Sequence, residues 1–150
     1  MKEEEGFSLI ELLIVVAIIG IIASIAVPRL LRARQAAYEA NAIRFLRSWS
    51  PGQELYKRAH GYYADSDEVM ITEGFISAGL RAGVADDAAY NYSIDSDSHN
   101  PDSSPNTTVW WGRARRRSGF TRMNSYFIDQ SGVIRYANAT DANPEDPPID

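Results

Sequence analysis

The 150 residues carry 15 Lys and Arg against 20 Asp and Glu, a formal net charge of -5, and no cysteine. That length accommodates one domain with a modest core, and the missing thiols exclude disulfide stapling, thiol nucleophiles and cysteine-ligated metals. His60 and His99 stand apart in loop-like sequence and form no catalytic cluster, so neither an enzyme nor a cofactor is expected.

The charge is arranged in opposed blocks: -3 over residues 1–11, +5 over 28–60, -8 over 61–112, +5 over 113–135 and -4 over 136–150. Fields of both signs on one small protein suit self-association better than binding to a polyanion.

From Phe7 to Pro28 the sequence is apolar except for Glu11 and a few small polar residues. At 1.5 Å per residue such a helix spans roughly 33 Å, about the thickness of a bilayer's hydrocarbon core. The acidic stretch MKEEEG before it departs from the usual positive flank, and Arg29, Arg32 and Arg34 follow it at once. Read by charge alone, these arginines favour a cytoplasmic head, while Ser24 and Ala26 before Val27 mimic a signal-peptide cleavage site. Glu11 argues against an ordinary signal. A carboxylate in hydrocarbon must be paired, neutralised or close enough to a helix end to reach the headgroups.

The run Gly6-Phe7-Ser8-Leu9-Ile10-Glu11-Leu12-Leu13-Ile14-Val15-Val16 resembles the processing and assembly sequence of type IV pilins and of type II secretion pseudopilins. The resemblance implies cleavage between Gly6 and Phe7 by a prepilin peptidase and N-methylation of Phe7. It further implies that Glu11 neutralises the amino terminus of a neighbouring subunit during filament growth, and that the helix from Gly20 to Pro28 stretches or melts on assembly. Proline and glycine are weak points in a helix for independent reasons: one lacks a backbone donor, and the other costs about 1 kcal/mol relative to alanine. The alternative at these two positions is a membrane helix that merely kinks or packs there.

Residues 29–60 continue a helical pattern. Leu30, Ala33, Ala37, Ala40 and Arg44 share one side, with Ala36, Ile43, Leu46 and Trp49 on an adjoining apolar stripe. At Ser50-Pro51-Gly52-Gln53 the residues fit an N-cap, first turn and third position of a new helix. Two readings stay open, a bend near Ser50 and a single helix that tolerates Pro51.

Beyond His60 the sequence predicts a head over 61–136. Asp67 or Asp65 is expected to cap a short helix, and Glu73-Gly74-Phe75-Ile76 resembles the stretch where pilins pack a second small helix. Alternation of Tyr90, Tyr92 and Ile94 predicts one strand and Thr108 to Arg115 another. Asp95, Asp97, Asn100 and Asp102 supply hard oxygen ligands without an EF-hand's spacing, and a solvated acidic loop is the expected outcome, with no metal. Gly112-Arg113-Ala114-Arg115-Arg116-Arg117 is the strongest basic patch. Arg113, Arg115, Arg116 and Arg117 read either as a partner for neighbouring acids or, with Trp110 or Trp111 stacking on bases, as a DNA contact.

Ser125 to Arg135 resembles the closing hairpin of pilin-like proteins, with Asp129-Gln130-Ser131-Gly132 as its turn. The expected core comprises Phe75, Ile76, Leu80, Tyr92, Ile94, Val109, Trp111, Phe127, Ile128, Val133 and Ile134. The residues from 137 to 150, with three prolines and four acids, read as an exposed tail.

The resulting expectation is an α+β fold, in which a long amino-terminal hydrophobic helix packs against a small antiparallel sheet. Residues 1–6 form a leader and 7–28 the membrane and filament-core segment. The resemblance implies a structural subunit of a type IV pilus or similar surface filament, or a periplasmic type II secretion pseudopilin. A membrane-anchored stalk that never polymerises is the third reading. For the first two, the implied partners are other copies of the chain, the inner membrane before assembly, the prepilin peptidase and the assembly machinery.

Overall fold

A computed structural model describes residues 7–81, 89–96, 109–138 and 141–149. The elements are α1 (Leu9–His60), α2 (Asp67–Thr72), a 3-10 turn at Ala78–Leu80, and strands β1 (Tyr90–Ser96), β2 (Trp110–Arg116), β3 (Ser125–Asp129) and β4 (Ile134–Ala137). The strands form one antiparallel sheet in the order β1-β2-β3-β4. The fold is therefore α+β, and its chain divides into two compact units at Ala36 and Ala37.

In the second unit, the α1 residues Ala42, Leu46, Trp49, Gln53 and Tyr56 are buried, at spacings of four, three, four and three. Leu46 and Trp49 lie on the expected stripe. Its phase differs, because Ala37 and Ala40 are exposed while Gln53 and Tyr56 are inside.

No break occurs at Ser50; α1 runs unbroken to His60. Pro51 faces solvent, while Trp49 on one side of it and Gly52, Gln53 and Tyr56 on the other are anchored in the core. Gln53 is fully buried, donating from Nε2 to the Ala64 carbonyl at 3.1 Å and accepting the Ala64 N–H at 2.9 Å. These contacts offset the roughly 3 kcal/mol that an interior proline costs a helix. Gly61, at φ 87°, ends α1 with its N–H on the Lys57 carbonyl at 2.7 Å, a left-handed stop that suits glycine.

Ser66, in extended conformation, occupies the N-cap position of α2, between the two aspartates expected to cap it, and Met70 is buried. Gly112, in the middle of β2, admits the Trp49 ring against the sheet. Phe45 packs edge-on to Trp49 at 4.9 Å and lies 4.3 Å from Tyr92, joining helix to β1.

Of the expected core, Ile76, Tyr92, Phe127, Ile128 and Ile134 are buried, and Phe75, Leu80 and Ile94 pack against it from partly buried positions. Val109 and Trp111 are only half-buried, and Val133 is exposed at the hairpin turn. The β3–β4 turn is held by the Asp129 carbonyl accepting from Gly132 N–H at 2.9 Å, with Gly132 at φ 73°.

The carboxy-terminal segment departs from an exposed extension. Asp141, Glu145 and the prolines at 144, 147 and 148 are exposed, but its backbone docks on β4. Tyr136 N–H donates to the Pro147 carbonyl at 3.1 Å, and Ile149 N–H donates to the Ile134 carbonyl at 2.9 Å. Ala142 is buried and Ile149 packs against the core.

Candidate functional site

The first unit is a helix without a core. Every large apolar side chain from Phe7 to Leu31 is between 47% and 87% exposed. Among the described residues, one helix is long and apolar enough to cross a membrane, and its most apolar window is entirely unburied. Leaving so many aliphatic side chains in water is unfavourable by on the order of tens of kcal/mol, so this surface requires lipid or other apolar helices around it.

Glu11 sits in the first turn of α1, where its Oε2 accepts the Ser8 N–H at 2.9 Å. Ser8-Leu9-Ile10-Glu11 has the spacing of a capping box, a signal present in the sequence but masked by the attention Glu11 draws as an intramembrane charge. A carboxylate here also meets the positive end of the helix dipole. The geometry fixes it near the point where cleavage after Gly6 would create a cationic amine. Gly6 itself lies outside the described residues.

Gly20 and Pro28 lie inside the continuous helix. A Cβ built on Gly20 would meet nothing within 4 Å. Nearby, the Ser24 hydroxyl donates to the Ile21 carbonyl at 2.7 Å.

Of the four arginines of the basic run, Arg113 and Arg116 are half-buried, while Arg115 and Arg117 are exposed. The Arg113 guanidinium lies 5.9 Å from the Phe127 ring centre, and Arg115 pairs with Asp141 at 2.5 Å. Arg116 donates to the carbonyls of Phe120 and Asn138, each at 3.2 Å, and Arg117 N–H donates to the Ala89 carbonyl at 2.7 Å. Trp110 is 1% exposed and cannot stack on a base. These bonds give the run a structural task, joining the sheet to the loop after β2 and to the tail.

Asp95 accepts the Ser96 N–H at 2.9 Å, while Asp97, Asn100 and Asp102 lie outside the described residues. Among the described residues no group of three or more His, Asp or Glu side chains is placed to hold a metal.

Residues 1–27 match the family model of the prokaryotic N-terminal methylation motif. The chain is 38% identical over 77 residues to the type IV wide pilus major component PilA4 of Thermus thermophilus, covering 51% of this chain and 59% of that protein. It is 32% identical over 76 residues to type II secretion system core protein G of Vibrio cholerae, covering 49% and 52% respectively. These similarities are to type IV pilins and to type II secretion pseudopilins.

A third relative, type II secretion system core protein G of Klebsiella pneumoniae, is 28% identical over 92 residues, which is 61% of each chain. The matches thus span between half and about three fifths of these relatives' lengths. The residues that match the methylation-motif model overlap the exposed apolar helix.

Proposed function

We propose that this chain is a structural subunit of a type IV pilus or a closely similar surface filament, held in the inner membrane as a precursor and bundled through its amino-terminal helix on assembly. The observation that carries this reading is the wholly exposed apolar surface from Phe7 to Leu31, which lipid covers first and neighbouring copies cover afterwards. Leader removal between Gly6 and Phe7, methylation of Phe7 and pairing of its amine with Glu11 of an adjacent copy complete the cycle. In a dry bundle an unpaired amine and an unpaired carboxylate are each costly, and pairing satisfies both.

The second reading, a type II secretion pseudopilin in a periplasmic filament, is favoured by the similarity to core protein G in two organisms. Deleting the gene separates the two: loss of sheared surface filaments with protein secretion intact supports the pilus, and the opposite supports the pseudopilus.

Intact-mass measurement on protein from the native host is expected to give a chain beginning at methylated Phe7; a chain beginning at Met1 or Val27 would refute the processing. Glu11→Ala and Glu11→Gln should both be inserted and processed but yield few filaments. Normal filament yield from processed Glu11→Ala would instead indicate a non-polymerising anchored protein.

A further inference from the structure

The head has two unlike sides. Ala42, Leu46 and Trp49 bury one face of α1, so Ala40, Arg44 and Arg47 stand on the face turned away from the core, and all three are exposed. Neither guanidinium has an ion pair or hydrogen bond among the described residues. With Ala40, Ile43 and Ile149 the two arginines line a shallow groove of about 450 Å³, apolar apart from these two cations.

The tail covers the opposite side. Arg115 and Arg135 follow the inward-facing Ala114 and Ile134 in their strands and so point outward, where Arg115 pairs with Asp141 and Arg135 donates to the Asp146 carbonyl. Between these anchors Pro144 lies beside Trp111, Arg113 and Phe127. Residues 141–146 therefore cross the sheet face opposite α1. Beyond them the chain rounds the β4 edge at Pro147 and Pro148, and Ile149 reaches the groove.

Residues 143–146 form a fixed turn. Asp146 N–H donates to the Asn143 carbonyl at 3.2 Å, Asn143 N–H to Asp146 Oδ2 at 2.7 Å and Glu145 N–H to Asn143 Oδ1 at 2.9 Å. Pro144 and Glu145 are exposed on it, and the Glu145 carboxylate has no partner among the described residues. One side of the head thus projects an ordered knob with a proline and a free acid, and the other holds an apolar groove with two free cations. Complementary surfaces on opposite sides of a molecule do not satisfy each other in a closed twofold pair. They join copies front to back and leave a knob and a groove open at the ends.

We propose that the turn at residues 143–146 of one copy seats in the α1 groove of the next, with Glu145 between Arg44 and Arg47 and the Pro144 ring on Ala40 and Ile43. Guanidinium forks suit a carboxylate, and a turn that is already ordered loses little freedom on seating. The contact rests on the reading of the chain as a filament subunit, and it adds a bond between heads to the bundling of amino-terminal helices.

The chain has no cysteine, so introduced thiols report the contact without background. Filaments sheared from the native host are treated with a short bis-maleimide. Arg47→Cys combined with Glu145→Cys in one chain should give a ladder extending past the dimer, and neither single variant should give a dimer. In parallel, Glu145→Arg alone and Arg44→Glu with Arg47→Glu should each lower filament yield about fivefold or more, because like charges then face each other at every contact, and the chain carrying all three changes should recover most of the yield. The crosslink decides should any charge variant melt below wild type. Unchanged yield in the charge variants, no recovery in a combined variant that melts like wild type, a double-cysteine product that stops at the dimer, or a bridge from residue 47 to a different protein would each overturn the contact. Wild type that forms no filaments would instead remove the filament reading, and this contact with it.

Discussion

Replacing Gly112 with alanine tests how the head is packed. In a strand the backbone alone would favour the change by about 0.5–1 kcal/mol, because glycine loses more freedom on folding. The new methyl would stand 2.6 and 2.8 Å from Cε3 and Cζ3 of Trp49 and 3.1 Å from Cγ2 of Ile128. Carbon pairs prefer roughly 3.5–4.0 Å, so the indole must retreat by about 1 Å. It has little room to do so. Trp49 is fully buried, its Nε1 donates to the Leu80 carbonyl at 3.0 Å, and Phe45 packs edge-on to it. Overpacking costs about 1–3 kcal/mol, and against an indole held this firmly the upper part of that range, about 2–3 kcal/mol, applies; after a backbone gain of up to about 1 kcal/mol the net loss is about 1–2 kcal/mol. For a head of this size that lowers the melting temperature by roughly 3–10 °C. Thermal unfolding of the full chain in detergent, followed by near-ultraviolet circular dichroism, reads the shift. A cycle with Trp49→Leu isolates its cause: in the leucine background, Gly112→Ala should be neutral or stabilising, with a coupling of about 1–3 kcal/mol. An alanine variant that melts at or above wild type with Trp49 in place would refute the reasoning.

Gln53→Leu should lower stability by about 2–4 kcal/mol in chemical denaturation, because it leaves the N–H and carbonyl of Ala64 buried and unpaired; a loss below about 0.5 kcal/mol would refute that account. Alkaline pH provides a separate check. Burial, followed by hydrogen bonding with Tyr62, pushes the Tyr56 phenol up to about 12, and burial with the Glu39 carboxylate pushes Tyr126 up to about 12. Both folded values lie above the ordinary value of 10, so the unfolded chain loses these protons first. Their contribution to stability is fully present below pH 10 and falls away as pH rises from 10 to 12. Denaturant midpoints measured from pH 9 to 11.5 should therefore decline above pH 10, and Tyr56→Phe should soften that decline. An equal slope in wild type and Tyr56→Phe would rule out this residue's part.

The amino-terminal helix was legible because membrane-length apolarity is a property of composition, and the hairpin from Ser125 to Tyr136 because its turn residues and alternation are local. Tyr90 and Tyr92 likewise declared a buried strand face. Pro51 misled in one of its two readings because local propensity records the missing donor and not the core contacts of Trp49, Gln53 and Tyr56 on either side of it. The phase of the helix stripe was obscured by Gln53, a polar side chain whose burial makes sense only beside the Ala64 backbone. At the candidate site the apolar run could be read directly, whereas the bond from the Ser8 N–H to Glu11 was hidden behind the carboxylate's charge. The work of Arg115 and Arg116 could not, since their partners Asp141 and Asn138 are more than twenty residues away. The tail's acids and prolines suggested solvent, and no composition reveals two backbone bonds to β4.

Those two bonds determine what the far side of the tail presents. With Tyr136 bonded to Pro147 and Ile149 bonded to Ile134, the peptide groups of residue 148 turn away from β4, toward where another strand would join. Residue 148 is proline and has no hydrogen to offer there, and its neighbour Pro147 has none either. The sheet thus ends in a blunt, acceptor-only margin. A neighbouring head therefore cannot extend the sheet across this margin by a full ladder of backbone bonds, which blunts one of its two edges against strand addition.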